Sequence, residues 1–164
     1  MFKYGDKMKK IFLTLLTTLF VSLSVFADNK QDATAFFDSY VNAANNYSNS
    51  VGDMYSPNAK IIRQVVKPDG TTVDVATDTS TYIKQMRLGQ AGAKIRQYKN
   101  NYSNIVTTQI DEDTFKVSSL RQPSGENYKL KTYMIVQKQP SGKWLIIEEM
   151  MQTKVQTFLR YAKN

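Results

Sequence analysis

Residues 102–153 read YSNIVTTQI DED TFKVSSLRQ PSG ENYKLKTYMIVQKQ PSG KWLIIEEMMQT. Four runs rich in β-branched and aromatic residues, Tyr102–Ile110, Thr114–Gln122, Glu126–Gln139 and Lys143–Thr153, are separated by the polar turns Asp111-Glu112-Asp113, Pro123-Ser124-Gly125 and Pro140-Ser141-Gly142. Val, Ile, Thr, Tyr and Phe fit a pleated, half-buried surface, while Pro, Gly and Asp supply turn dihedrals. Turns this short join antiparallel neighbours, because a parallel return needs a crossover of a dozen or more residues. The pattern predicts four long antiparallel strands in succession.

Toward the N-terminus the period changes. Ala33, Phe36, Phe37, Tyr40, Val41 and Ala44 fall at the spacings of a one-faced amphipathic helix, with Asp32 placed to cap it. A second short helix through Val51, Met54 and Tyr55 is expected to stop at Ser56-Pro57-Asn58. Ala59–Lys67 and Thr71–Ala76 read as a hairpin around Pro68-Asp69-Gly70. Asp78, Thr79 or Ser80 then caps a helix carrying Tyr82, Ile83 and Met86, which weakens at Gly89 and Gly92. Val155, Phe158, Leu159 and Ala162 mark a short terminal helix or a fraying tail. Helices followed by consecutive antiparallel strands make an α+β order, in which the N-terminal helices must cover the apolar face of the sheet.

Residues 1–27 have the three parts of a cleavable signal peptide: Lys3, Lys7, Lys9 and Lys10, then an apolar run from Ile11 to Phe26, then Val25-Phe26-Ala27 at the cut. The run is short and diluted by threonine and serine, which disfavours a membrane span of about 20 residues. Cleavage leaves residues 28–164 as a single domain, with the net charge falling from +8 to +5, located in the periplasm or secreted. There is no cysteine, so disulfides, thiol chemistry and a lipid-modified terminus are excluded. There is no histidine either, which removes Ser-His-Asp triads, His–carboxylate dyads and imidazole metal sites. No cofactor and no metal is expected.

The order helix, short helix, Met54-Tyr55-Ser56-Pro57-Asn58-Ala59-Lys60-Ile61, hairpin, helix with Tyr82-Ile83, and strands ending in Gly142-Lys143-Trp144-Leu145-Ile146-Ile147-Glu148-Glu149 resembles the nuclear transport factor 2-like (SnoaL-like, cystatin-like α+β) superfamily, here as an exported bacterial member. The phrases that carry the resemblance are Tyr55 and Ala59 with three residues between them, and Gly142-Lys143-Trp144 opening the last strand. The resemblance implies N-terminal helices packed in a strongly curved antiparallel sheet that forms a cone-shaped cavity. Its members include isomerases, dehydratases, cyclases, small-ligand binders and protein-interaction modules, so the fold does not choose the function.

In the isomerases a carboxylate near the end of the first strand takes a proton while a tyrosine on the first helix polarises a carbonyl. The resemblance puts Arg63 at the base position and Tyr40 at the tyrosine, and a guanidinium stays protonated. Glu148 and Glu149 are set in an apolar run, and strict alternation places Trp144, Ile146, Glu148 and Met150 on one face. The resemblance assigns the pocket positions to Glu148 and Met150, four and six residues after the tryptophan. Glu148 then either contacts a ligand or pairs with Arg63 or a lysine. Tyr40, Tyr55, Tyr82, Tyr102 and Tyr133, with Met54, Met86 and Met134, are candidates for the cavity wall. Lys84, Arg87, Lys94, Arg96 and Lys99 form a basic stretch without an acid between Thr79 and Ile110, suited to an anionic or envelope-protein partner; no nucleic acid is expected. The reading is a non-catalytic binding or interaction module for a small apolar or amphipathic ligand, dimerising through the exposed face of the sheet. The alternatives are an isomerase or dehydratase using a buried glutamate and tyrosine, and a dimerising accessory subunit of an envelope complex.

Overall fold

Ala33, Phe37 and Tyr40 recur at a spacing that puts them on one helix face, and all three are buried. In the computed structural model, which describes residues 28–162, residues 28–45 are helical (α1) and press this stripe into the concave side of a sheet. The expected signal peptide, residues 1–27, lies outside the described residues. Asp32 sits within the helix rather than at its cap, and its carboxylate stands 3.9 Å from the Lys138 ammonium.

A 3₁₀ segment Asn49–Met54, capped by the Ser48 hydroxyl, turns the chain into β1 (Tyr55–Val66). After β2 (Thr72–Thr77) comes α2 (Thr79–Ile95), where the Asp78 carboxylate accepts from the Thr81 amide at 2.8 Å, and then β3 (Asn100–Gln109), β4 (Thr114–Pro123), β5 (Leu130–Lys138) and β6 (Trp144–Thr153). A second 3₁₀ segment, Gln156–Tyr161, replaces the terminal helix. Gly70 and Gly142, each preceded by a proline two residues earlier, take φ of 84° and 83°, a backbone region closed to most side chains.

The strands form one open sheet in the order β2-β1-β6-β5-β4-β3. Three successive hairpins carry the chain from β3 to β6, as the turns predict. The fully antiparallel expectation needs correction at the centre, where β1 and β6 run parallel. The path from β1 to β6 passes through β2, α2 and three further strands, so no tight turn dictates their relative direction. Ser56-Pro57-Asn58 lies inside β1 rather than ending a helix, in the stretch where register with β6 is lost between Tyr55 and Lys60. Proline lacks the ladder donor, so it is tolerated where the ladder is broken. Similar slips in β3, between Ser103 and Val106, and in β6 bend the sheet around α1.

The core is the interface of this helix with the inner strand positions Ile61, Phe115, Val117, Met134, Val136 and Ile146. By contrast, α2 leaves Leu88 75% exposed. Phe37→Ala is therefore expected to lower the unfolding free energy by about 3–5 kcal/mol. Leu88→Ala should stay within about 0.5 kcal/mol of the parent in the same urea titration.

Candidate functional site

One extra residue in β6 sets which glutamate enters the core. Ile135 pairs with Glu148 and Val136 with Ile146, leaving Ile147 as a bulge. A bulge reverses the alternation of faces beyond it. Trp144, stacked edge-on against Phe115 at 5.9 Å, and the fully buried Ile146 therefore share the inner face with Glu149 and Met151. This corrects the assignment of Glu148 and Met150 to the pocket, since both lie on the outer face. There Glu148 accepts from the Tyr133 hydroxyl at 2.6 Å and pairs with the exposed Lys60 at 3.6 Å. Tyr133, capped by the Lys116 ammonium 4.1 Å from its ring centre, and Met150 line a shallow outer groove.

Glu149 has no solvent exposure. Its neighbour in β1 is Ile61, and two residues on, Arg63 faces the same side. The Arg63 Nη1 donates to Glu149 Oε1 at 2.7 Å, and the Tyr55 hydroxyl donates to Oε2. The Tyr40 hydroxyl stands 3.4 Å from that of Tyr55, and the Tyr82 ring lies 4.7 Å beneath the guanidinium. The rings of Tyr40, Tyr55 and Tyr82 pack edge to face, with centroids 6.3 and 5.5 Å apart. Opposite charges, a hydroxyl donor and an aromatic face together replace the water that burial removes.

The cluster fixes its own protonation. Burial first, and the Glu149 carboxylate second, raise the phenol pKa of Tyr40, Tyr55, Tyr82 and Tyr102 above the usual value of about 10, so these hydroxyls remain donors. For Arg63 burial acts downward, but Tyr82, Glu149 and Tyr55 together outweigh it and keep the guanidinium charged. A group whose folded pKa exceeds its unfolded pKa stabilises the fold fully below the unfolded value, and that contribution disappears as pH rises through the folded one.

Beside the cluster, between the end of α1, α2 and the ends of β3, β4 and β6, lies a cavity of about 360 Å³. Tyr40, Val51, Tyr82, Met86 and Met151 form its apolar wall, Ala44, Gly89 and Ala93 keep it hollow, and Arg96, Tyr98 and Arg121 stand around the rest. A Cβ on Gly89 would meet no atom within 4 Å. The helix expected to weaken at Gly89 and Gly92 is thus intact, with Gly89 on its cavity side. Asn45 ties α1 to β3 by a reciprocal pair with the Asn100 backbone at 2.9 and 3.0 Å. A groove of about 610 Å³ along β2 contains none of the expected wall residues.

Of those residues, Tyr40, Tyr82 and Met86 reach the cavity. Tyr55 and Arg63 belong to the cluster beside it, Tyr102 packs edge-on against Phe37 at 5.3 Å, and Met134 is core. In the basic stretch Arg96 lines the cavity, Arg87 approaches Gly52, and Lys84, Arg87, Lys94, Arg96 and Lys99 are all exposed. Arg121 and Glu149 went unassigned in the sequence. The arginine was legible, because Phe115, Val117, Ser119 and Arg121 alternate onto one face. Among the described residues no group of three or more acidic, histidine or cysteine side chains could hold a metal ion.

No protein-family model matches the chain, and no curated protein does. Solved structures do. A scytalone dehydratase candidate from Novosphingobium aromaticivorans superposes with a TM-score of 0.59 at 14% identity, over 79% of this chain and 86% of that one. A cystatin-like domain of unknown function from Nostoc punctiforme gives 0.55 at 13% over 81% and 84%, and a DUF3225 protein of unknown function from Pectobacterium atrosepticum gives 0.54 at 20% over 77% and 91%. The chain shares the cystatin-like α+β fold of these structures.

Two measurements test the buried cluster. Glu149→Leu and Arg63→Met, each leaving a lone buried charge, should cost about 3–5 kcal/mol, while the double variant should be no less stable than either single. On raising pH past about 10, phenolate absorbance from Tyr40, Tyr55 and Tyr82 should appear only together with loss of secondary structure.

Proposed function

We propose that the protein is an exported, non-catalytic binding module that takes a small apolar or amphipathic molecule into the cavity between α1, α2 and the sheet. One observation carries this reading: the cavity is lined without any acid, while the buried acid beside it, Glu149, is sealed from solvent and bound by Arg63 and Tyr55. A general base must reach the proton it removes, and a carboxylate already holding two donors is poorly placed to do so. The remaining wall, tyrosine and methionine with a few polar groups, has the make-up of a ligand pocket, at the small end of the usual size range. Export rests on the three-part leader.

A dehydratase is the second reading, favoured by the likeness to the scytalone dehydratase candidate and by the presence of a buried glutamate–tyrosine pair. The two are separated by native mass spectrometry of protein recovered from the periplasm, followed by turnover assays on hydroxylated aromatic substrates. A retained small molecule, lost in Gly89→Leu with no fall in Tm, is the expected result. That variant fills empty space and removes a helix glycine that costs about 1 kcal/mol. Turnover abolished by Glu149→Gln would move the protein to the dehydratase class.

A further inference from the structure

Resting on the binding reading above, we propose that the cavity selects organic anions, with Arg121 as the residue that receives the carboxylate of an otherwise apolar ligand. Arg121 lies on the inner face of β4, is only 5% exposed, and lines the cavity. Its Nη1 donates to Asn100 Oδ1 at 2.8 Å and to the Tyr98 hydroxyl at 3.4 Å, and its Nη2 donates to the Gln152 carbonyl at 2.8 Å. The Nε–H finds no acceptor. A guanidinium has five N–H donors, so the Nε hydrogen and one on Nη2 are left over.

Every acceptor it does have is neutral. Among the described residues no carboxylate lies within ion-pair distance of it, whereas Arg63, the other inward arginine, holds Glu149 at 2.7 Å. A buried cation without a counter-charge is costly, and a bidentate carboxylate is the group that best completes an arginine.

The surroundings agree with an anion. Arg96, exposed at the rim of the cavity, adds a second cation. The Tyr47 hydroxyl, also on the cavity wall, is buried without a partner and offers a further donor. Nε is covered, and the Tyr98 hydroxyl, held to Nη1 at 3.4 Å on a side chain 37% exposed, is the weakest of the three contacts and the one that yields as a carboxylate reaches the free donors on Nε and Nη2.

The test uses two matched pairs of probes on the purified protein by calorimetry: naphthoate against naphthylmethanol, and decanoate against decanol. The acid of at least one pair should bind at least tenfold more tightly than its alcohol, and the pair that responds tells an aromatic from an acyl body. Arg121→Met should bring the acid down to the level of the alcohol without changing alcohol binding, Arg96→Ala should weaken the acid several-fold, and Gly89→Leu should block both probes. If Arg121→Met fails to fold, the comparison on the parent protein together with Arg96→Ala decides. Equal affinity for acid and alcohol in both pairs overturns the anion inference and leaves the binding reading standing, with Arg121 a clamp between β3, β4 and β6. Absence of binding for all four probes, with no retained molecule in native mass spectra, overturns both.

Discussion

Arg63 and Glu149 carry opposite charges where water does not reach the carboxylate at all, and each is tolerable there only because of the other. Their meeting requires three things at once: β1 and β6 paired in parallel, Ile147 bulged out of β6, and the Tyr55 ring delivered to the same spot from the start of β1. A shift of β1 against β6 by one residue would turn Arg63 outward and strand the glutamate. The ion pair therefore acts as a register key. The same shift would turn Ile61 and Val65 outward, so the apolar pattern and the ion pair fix one register together.

The same pair explains why the cavity is lined without an acid although a buried glutamate lies beside it. Aromatic rings of Tyr40 and Tyr82 belong to both regions, forming the cavity wall on one side and touching the ionic cluster on the other. The carboxylate of the inner face is held within the sheet, and the cavity wall is left with aromatic and apolar surface, hydrogen-bonding groups and the guanidinium groups of Arg96 and Arg121.

Much of this was legible in the sequence. The Pro-Ser-Gly turns announce the hairpins, and the Ala33, Phe37, Tyr40 stripe announces the helix that fills the sheet. Tyr40 stands at the tyrosine position that the resemblance implies, while Tyr82 and Met86 were legible only as residue types suited to a cavity wall. The choice between Glu148 and Glu149 failed for a definite reason: alternation was carried through Ile147 as though the strand were regular, and neither side of the bulge contains a glycine or proline to mark it. Tyr133 and Met150 failed with it, since they pair across the same outer face. The parallel contact of β1 with β6 was invisible because it depends on how distant segments meet rather than on any local turn.

That contact also sets an order of events in folding. Arg63 and Glu149 are 86 residues apart, so the centre of the sheet cannot form until nearly the whole chain is available. Until β6 arrives, the β1–β2 hairpin presents the ladder edge of β1 unpaired, with Ile61, Val65 and a lone arginine on the face that will become the core. The β3–β6 meander, joined by short turns, assembles from local contacts and is the natural nucleus, with the hairpin docking onto it last. Slow closure of a distant strand pair is the step at which such a chain is most open to pairing with a neighbour's edge.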